Sequence, residues 1–397
     1  MSGSWVPVPP DSPFPIQNLP YGVFSVAGRP ARVGVAIGDH VLDLAPTLGD
    51  DQFAGPSLAP FLARGRAAWA ETRARLVELL SDERYEGTVR PHLVPRPDVR
   101  LHLPFEVADY VDFYASLDHA SNVGRIFRPN EEPLKENWRH LPVGYHGRAG
   151  TVVASGTPIV RPAGQRRPPG AQSPTFGPST RLDIEAEVGF VVGLGSPLGE
   201  PVPVDAFAEH VFGVVLVNDW SARDIQAWEY VPLGPFLGKS FATSISPWVV
   251  PLEALEAARV PGPAQDPAPL PYLQGKESWA LDLALEVALN GEVVSRPPFA
   301  GMYWSPAQML AHMTVNGASL RTGDLYASGT VSGPERHQRG SLIELTWNGT
   351  EPLVLADGST RAFLEDGDTV AITASAPGTG GVRIGFGEVA GTVLPAR

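Results

Sequence analysis

Cysteine is absent from all 397 residues. That excludes disulfides, thiolate metal sites and thiol nucleophiles together. Long apolar runs are missing too, which argues against a membrane span. The first ten residues, Met1 to Pro10, hold no basic stretch followed by an apolar one, so they do not read as a secretory signal. Positive charge is in deficit, with 30 Lys and Arg against 43 Asp and Glu, a net of −13. A chain so acidic has nothing basic to lay along phosphates, so no nucleic-acid partner is expected. These absences leave a soluble, cytoplasmic protein as the expectation.

Glycine and proline are plentiful, at 42 residues each. That favours many short strands and turns over helical bundles. The length and a 43% apolar content suffice for two domains and a large core. Phe24 to Val26, Ala31 to Ile37 and Val41 to Leu44 alternate like strands, and Ala59 to Leu80 places apolar residues at helical spacing. Prolines 91, 95, 97 and 104 then punctuate the chain, which places a boundary between residues 1–104 and 105–397.

The larger part reads as β-rich with few helices. Strands are expected at Val152-Val153, Ile184 to Val192, Phe212 to Val217, Trp248 to Val250 and Trp279 to Leu289. Asn290-Gly291 marks a hairpin turn, and Asn348-Gly349 after Leu342 to Trp347 reads as a second one. Helices are expected at Val204 to His210, Ala222 to Trp228, and from the Ser305 cap and Pro306 to Asn316. The stretches 161–179 and 260–271 are Pro/Gly-rich insertion loops.

Four segments carry polar residues where a fold prefers apolar ones. Leu182 to Val188 alternates strictly, so one strand would set Asp183, Glu185 and Glu187 on the same face, roughly 7 Å apart. A hard divalent cation explains such a stack, while a solvated sheet face is the plainer account. Asp112, Tyr114 and His119 can converge on one cavity from an irregular or helical segment, although a lone histidine is more often a surface or hydrogen-bonded core residue. Asp219 ends a buried strand and looks free for another task, since Ser221 could cap the following helix. Lys239 sits in an apolar, glycine-rich loop and must pair with an anion or lose its proton easily. Asp112, Glu185, Glu187 and Asp219, with Lys239 and His119, describe a metal-assisted site with a general base. Glu344, in an apolar run, is the candidate to orient that base.

These stretches resemble the fumarylacetoacetate hydrolase family in its full-length, two-domain form. The matching motifs are DFYASLDHASNVG from Asp112, NWRHLPVGYHGRAGTVVASGTPI from Asn137, LDIEAEVGFVVG from Leu182, the long run from Val215 to Val250, MYWSPAQMLAHMTVNG from Met302 and DLYASGTVSGPE from Asp324. The resemblance implies an α+β, mainly β fold: a small SH3-like barrel with helices, then a large mixed β-sandwich roll. It implies a metal-dependent enzyme that cleaves the carbon–carbon bond of 4-fumarylacetoacetate to fumarate and acetoacetate, the last step of tyrosine and phenylalanine catabolism. It implies Asp112, Glu185, Glu187 and Asp219 as ligands of calcium or magnesium (manganese is also possible), with a second cation beside Asp219, Lys239 and Thr243. His119 would be the base held by Glu344. Arg223, Gln226 and Lys239 would meet developing negative charge, and Tyr114, Arg128, Tyr145, Gln226, Tyr230 and Thr330 would contact a small β-diketo diacid. A homodimer is implied as well. Two places depart from the family pattern: Leu117-Asp118, where Asp118 adds a charge beside the base, and the loop Glu335 to Arg339.

Two rival readings remain at this point. One keeps the site and changes the substrate, as a related β-diketo acid hydrolase, isomerase or decarboxylase. The other is a metal-stabilised binding protein without catalysis.

Overall fold

The computed structural model describes residues 3–168 and 170–397; Met1 and Ser2 of the proposed non-signal terminus, and position 169 of the first insertion loop, lie outside them. Two sheets dominate. The larger runs from the small N-terminal unit straight into the C-terminal one, in the order Leu93–Pro95, His40–Asp43, Arg32–Ile37, Tyr21–Val26, Trp248–Pro251, Val211–Asp219, Ala186–Val192, Leu325–Ala327, Tyr110–Phe113 and Gly144–His146. The join is an antiparallel pairing of Tyr21 with Val249 and Gly22 with Trp248. The second sheet orders Glu292–Ser295, Ala284–Leu289, Thr369–Pro377, Arg383–Leu394 and Ile159–Val160. A core including Val188, Phe190 and Leu216 from the first sheet and Leu285, Ile372 and Val389 from the second joins them. The architecture is thus mainly β with some helix.

Strand Val211–Asp219 is buried at every position, as a central strand covered on both faces must be. Helix Pro306–Thr314 begins with a capping box between Ser305 and Gln308. Asn290 and Gly291 both take positive φ, 53° and 85°, and turn Ala284–Leu289 into Glu292–Ser295.

Several expectations need correction. Leu342–Leu345 is a short helix, and Trp347, Asn348 and Gly349 form a left-handed turn after it; no hairpin crosses Asn348. The proline passage holds two short strands, Leu93–Pro95 and Val99–His102, placed at strand ends or edges where a missing amide costs little. Loop 161–179 contains a hairpin of Ala163–Arg166 with Thr175–Pro178.

An ion pair with a buried carboxylate pins the second sheet. Asp368 accepts from Arg361 Nε at 2.9 Å, Asn290 Nδ2 at 2.9 Å and the Glu365 amide at 2.8 Å. Burial pushes the Asp368 carboxyl upward, but Arg361, Asn290 and the Glu365 amide outweigh it and hold it below its usual range. A folded-state depression stabilises above the unfolded value, about 3.9, and that contribution vanishes as pH falls through the folded value. Asp368→Asn is therefore expected to lower stability by about 1–3 kcal/mol at neutral pH, with the gap closing below roughly pH 4. Urea unfolding across a pH series checks it.

Candidate active site

The alternating segment does not run as one strand. It pairs as Leu182–Asp183 with Ser221–Ala222, breaks at Ile184-Glu185, and resumes as Ala186–Val192. The break sends Asp183 away from its two neighbours, and like charges are thereby relieved of sharing one face. Glu185 and Glu187 instead meet two acids from other strands. Asp112 comes from Tyr110–Phe113, which lies parallel to Leu325–Ala327, and Asp219 is the last residue of Val211–Asp219. Ligand oxygens of Asp112, Glu185, Glu187 and Asp219 all lie within 4.8 Å of one another, and all four residues are buried.

Lys239 is the internal counterion. Its ammonium donates to Glu185 and, at 2.7 Å, to Asp219 Oδ2, while the Thr243 hydroxyl donates to Asp219 Oδ1 at 2.6 Å. Burial alone would discharge this lysine, but Asp219 and Glu185 reverse the effect and hold it firmly protonated. Of the two fates open to it, it pairs. Burial also works against the Glu185 charge, but Lys239, Arg223 and His119 prevail and keep that carboxyl low. Asp112 and Glu187 are pushed well up, by burial first and by neighbouring carboxylates next. Asp219 is raised as well, burial outweighing Lys239.

Four carboxylates against one lysine and a shared Arg223 leave negative charge in excess. Asp112 Oδ1 and Glu187 Oε1 are buried with no hydrogen-bond partner. Orphaned hard oxygens in a set of four are the ligand chemistry of a divalent cation. The residues fit such an ion.

The candidate base, His119, stands at the edge of this cluster. Helix Leu117–Phe127 starts on a Ser116 cap and buries His119. Nδ1 of His119 donates to Glu344 Oε2 at 2.7 Å, and Nε2 lies 3.9 Å from Glu185 Oε1. Glu344 is fully buried and also accepts from Asn122 Nδ2 at 3.0 Å, Ser332 Oγ at 2.9 Å and Ser341 Oγ at 2.7 Å. Burial would raise its pKa, but His119, then Asn122 and Ser341, hold it low. A charged carboxylate on Nδ1 fixes the tautomer that leaves Nε2 as the proton acceptor. Asn122, Ser332 and Ser341 were not singled out from the sequence. Asn122 lies three residues past His119 on the same helical face and was findable; Ser332 left no signal.

A cavity of about 580 Å³ opens beside these groups, within the range of small-molecule sites. Asp112, Tyr114, His119, Arg128, Tyr145, Glu185, Arg223, Gln226, Tyr230, Lys239 and Thr330 line it. A smaller adjoining cavity takes in Asp219 and Thr243 and shares Lys239 and Tyr145. Glu187 and Glu344 line neither. The Thr330 hydroxyl, Arg128 Nε and Arg223 Nη2 are buried without partners. Tyr114 sets its ring edge-on to His119, with centroids 5.4 Å apart. Gln226 Oε1 accepts from Arg223 Nη1 at 3.1 Å.

Other expectations shift. Among the described residues, loops 161–179 and 260–271 contribute nothing to the cavity, whose rim includes Pro133 to Lys135 and Pro232 to Pro235. Ser221 does not cap the helix Arg223–Glu229; its hydroxyl donates to the Asp219 carbonyl at 2.9 Å. Asp118 is raised by burial and by Glu344, against Arg125. The loop Glu335 to Arg339 braces the end of the Glu344 helix, with Arg339 Nη1 donating to the Glu344 carbonyl at 2.8 Å and Arg336 Nε to that of Leu345 at 2.9 Å.

A histidine held by a carboxylate, four clustered acids that could hold a divalent cation and an adjoining cavity together have the make-up of an enzyme site. Residues 109–394 match the C-terminal domain of fumarylacetoacetate hydrolase, and residues 17–104 match the N-terminal domain of fumarylacetoacetase. The chain belongs to the fumarylacetoacetate hydrolase family. It is 52% identical to the fumarylacetoacetase of Homo sapiens over 99% of both chains. The fumarylacetoacetase of Oryza sativa subsp. japonica is 48% identical, over 99% of this chain and 97% of its own. Among solved structures, a fumarylacetoacetate hydrolase from Exiguobacterium antarcticum aligns with a TM-score of 0.57 at 20% identity, over 96% of this chain and 100% of its own, a likeness of fold alone.

Proposed function

We propose that the chain hydrolyses 4-fumarylacetoacetate to fumarate and acetoacetate, the closing step of tyrosine and phenylalanine catabolism. The observation that carries this reading is the His119–Glu344 pair at 2.7 Å, with the free His119 nitrogen facing the acid cluster. Relatives matched over nearly their full length bear the name of that activity.

His119 takes a proton from water, and Glu344 holds the imidazole and offsets its charge. The water oxygen adds to the carbonyl next to the fumaryl unit. The carbon–carbon bond then breaks, its electron pair leaving with the acetoacetate half as an enolate. Arg223, Gln226 and Lys239 meet that negative charge, and a proton returned to carbon completes acetoacetate. Asp112, Glu185, Glu187 and Asp219 would hold a divalent cation, which when bound would supply Lewis acidity. Tyr114, Arg128, Tyr145, Tyr230 and Thr330 bind and orient the diacid; the unpartnered Arg128 Nε and Thr330 hydroxyl support this.

Calcium, magnesium or manganese would each accept this oxygen set. A second cation beside Asp219, Lys239 and Thr243 has less support, because an ammonium only donates and both Asp219 oxygens already accept from Lys239 and Thr243. A cytoplasmic location and a homodimer complete the reading. Among the described residues no helix is long and apolar enough to cross a membrane, and exposed Phe176, Leu233 and Phe236 offer apolar surface to a second copy.

Purified protein given fumarylacetoacetate is expected to release fumarate and acetoacetate in equal amounts. Turnover of an acylpyruvate with none of fumarylacetoacetate would replace this reading with that of another β-diketo acid hydrolase.

A further inference from the structure

Asp183 drew notice as one of three aligned acids, yet it stands outside the cation cluster. It is fully buried, and every acceptor position it has is taken. Oδ1 accepts from the amides of Ile184 and Leu342, both at 2.7 Å; Oδ2 accepts from the Ile343 amide at 3.1 Å and from Arg223 Nε at 2.8 Å. A carboxylate offers about four lone-pair sites, so nothing remains for an ion.

Its donors belong to two separate pieces of machinery. Leu342 and Ile343 open the short helix that carries Glu344. Ser341, at the cap position, makes no capping bond, because its hydroxyl is spent on Glu344. The first amides of that helix therefore rely on a carboxylate 159 residues away in sequence. Arg223 uses Nε on Asp183 and Nη1 on Glu185 at 2.7 Å, which fixes the plane of the guanidinium and leaves Nη2 free.

We propose that Asp183 is a positioning residue that locks Arg223 and the Glu344 helix into one frame. The orienter of the base and the acceptor of developing charge thereby keep a fixed separation. The inference rests on the function proposed above.

The test is Asp183→Asn in the full-length protein. An asparagine keeps only one oxygen as acceptor: a nitrogen in the Oδ1 place drops the Ile184 and Leu342 amides, and one in the Oδ2 place drops the Ile343 amide and Arg223 Nε, so the frame loosens either way. The expected result is a fall in kcat of about 100-fold, with KM and calcium affinity by titration calorimetry within about 3-fold of wild type. Added to Glu344→Gln, the substitution should cost less than about 3-fold more, because both act through the same unit. Wild-type kcat, fully multiplicative losses or a collapse of calcium affinity would each overturn it. Should Asp183→Asn fail to accumulate, Asp183→Glu, which moves the charge by one methylene, carries the same readouts. Wild-type protein inactive on fumarylacetoacetate would defeat the proposed function instead. Positioning is then read without substrate, in a crystal structure of the variant: Arg223 swung off Glu185 or a displaced Glu344 helix supports it, and both in their wild-type places overturn it.

Discussion

His119→Ala lowers kcat on fumarylacetoacetate by about 10³-fold and leaves KM within a few-fold. The expectation follows from what the imidazole does and does not touch. It is buried, its Nδ1 is committed to Glu344, and its other nitrogen lies 3.9 Å from Glu185, at the cavity wall. Among the described residues, no second histidine lines that cavity. Lys239 is held protonated by Asp219 and Glu185 and cannot substitute. The groups assigned to binding, Arg128 and Thr330 among them, stay in place, which is why KM is spared. Glu344→Gln should lose about 10²-fold, since the amide cannot stabilise the imidazolium that forms. Steady-state kinetics on both variants decides the matter. Unchanged kcat in His119→Ala would remove the base assignment altogether.

Removing divalent cations with a chelator is expected to abolish turnover, and adding them back to restore it. Glu187 and Asp112 each bury an oxygen without a partner, and burial together with neighbouring acids drives both carboxyls upward. A cation relieves the repulsion and satisfies the orphaned oxygens together. Bound at 100 times its Kd, it would also add about 2.7 kcal/mol to folding stability. Activity and thermal unfolding, followed side by side across calcium, magnesium and manganese, check the prediction and rank the ions. Full activity in metal-free protein would exclude a Lewis acid from the reaction.

Sequence and structure part company at instructive places. The residue types of the site were legible because each broke a local rule: acids inside alternating apolar segments, a lysine among glycines. The elements holding them were less so. Leu342 to Trp347 has the composition of a strand, and its helical start depends on Asp183 accepting two of its amides. That contact spans 159 residues of sequence, and no local pattern announces it. Likewise His119 and Glu344 lie 225 residues apart, and nothing in their spacing pairs them; an acid in an apolar run made Glu344 a candidate, and the resemblance implies the same pair. The acid-rich segment was read as one strand because its period is 2 throughout. The break at Ile184-Glu185 turns Asp183 toward Arg223 and the amides of Leu342 and Ile343, partners that no local period announces. Cavity shape was not legible either: its rim is built from short stretches near Pro133 and Pro232, and no local pattern shows that they meet.

The pairing of Tyr21–Val26 with Trp248–Pro251 gives the N-terminal unit a task unrelated to catalysis. Without residues 1–104, the strand Trp-Val-Val-Pro would become a bare, apolar sheet margin, open to pairing with any extended chain it met. The small unit serves as a built-in sheath against aggregation. A fragment that keeps every catalytic group would still lose solubility with its covering strand.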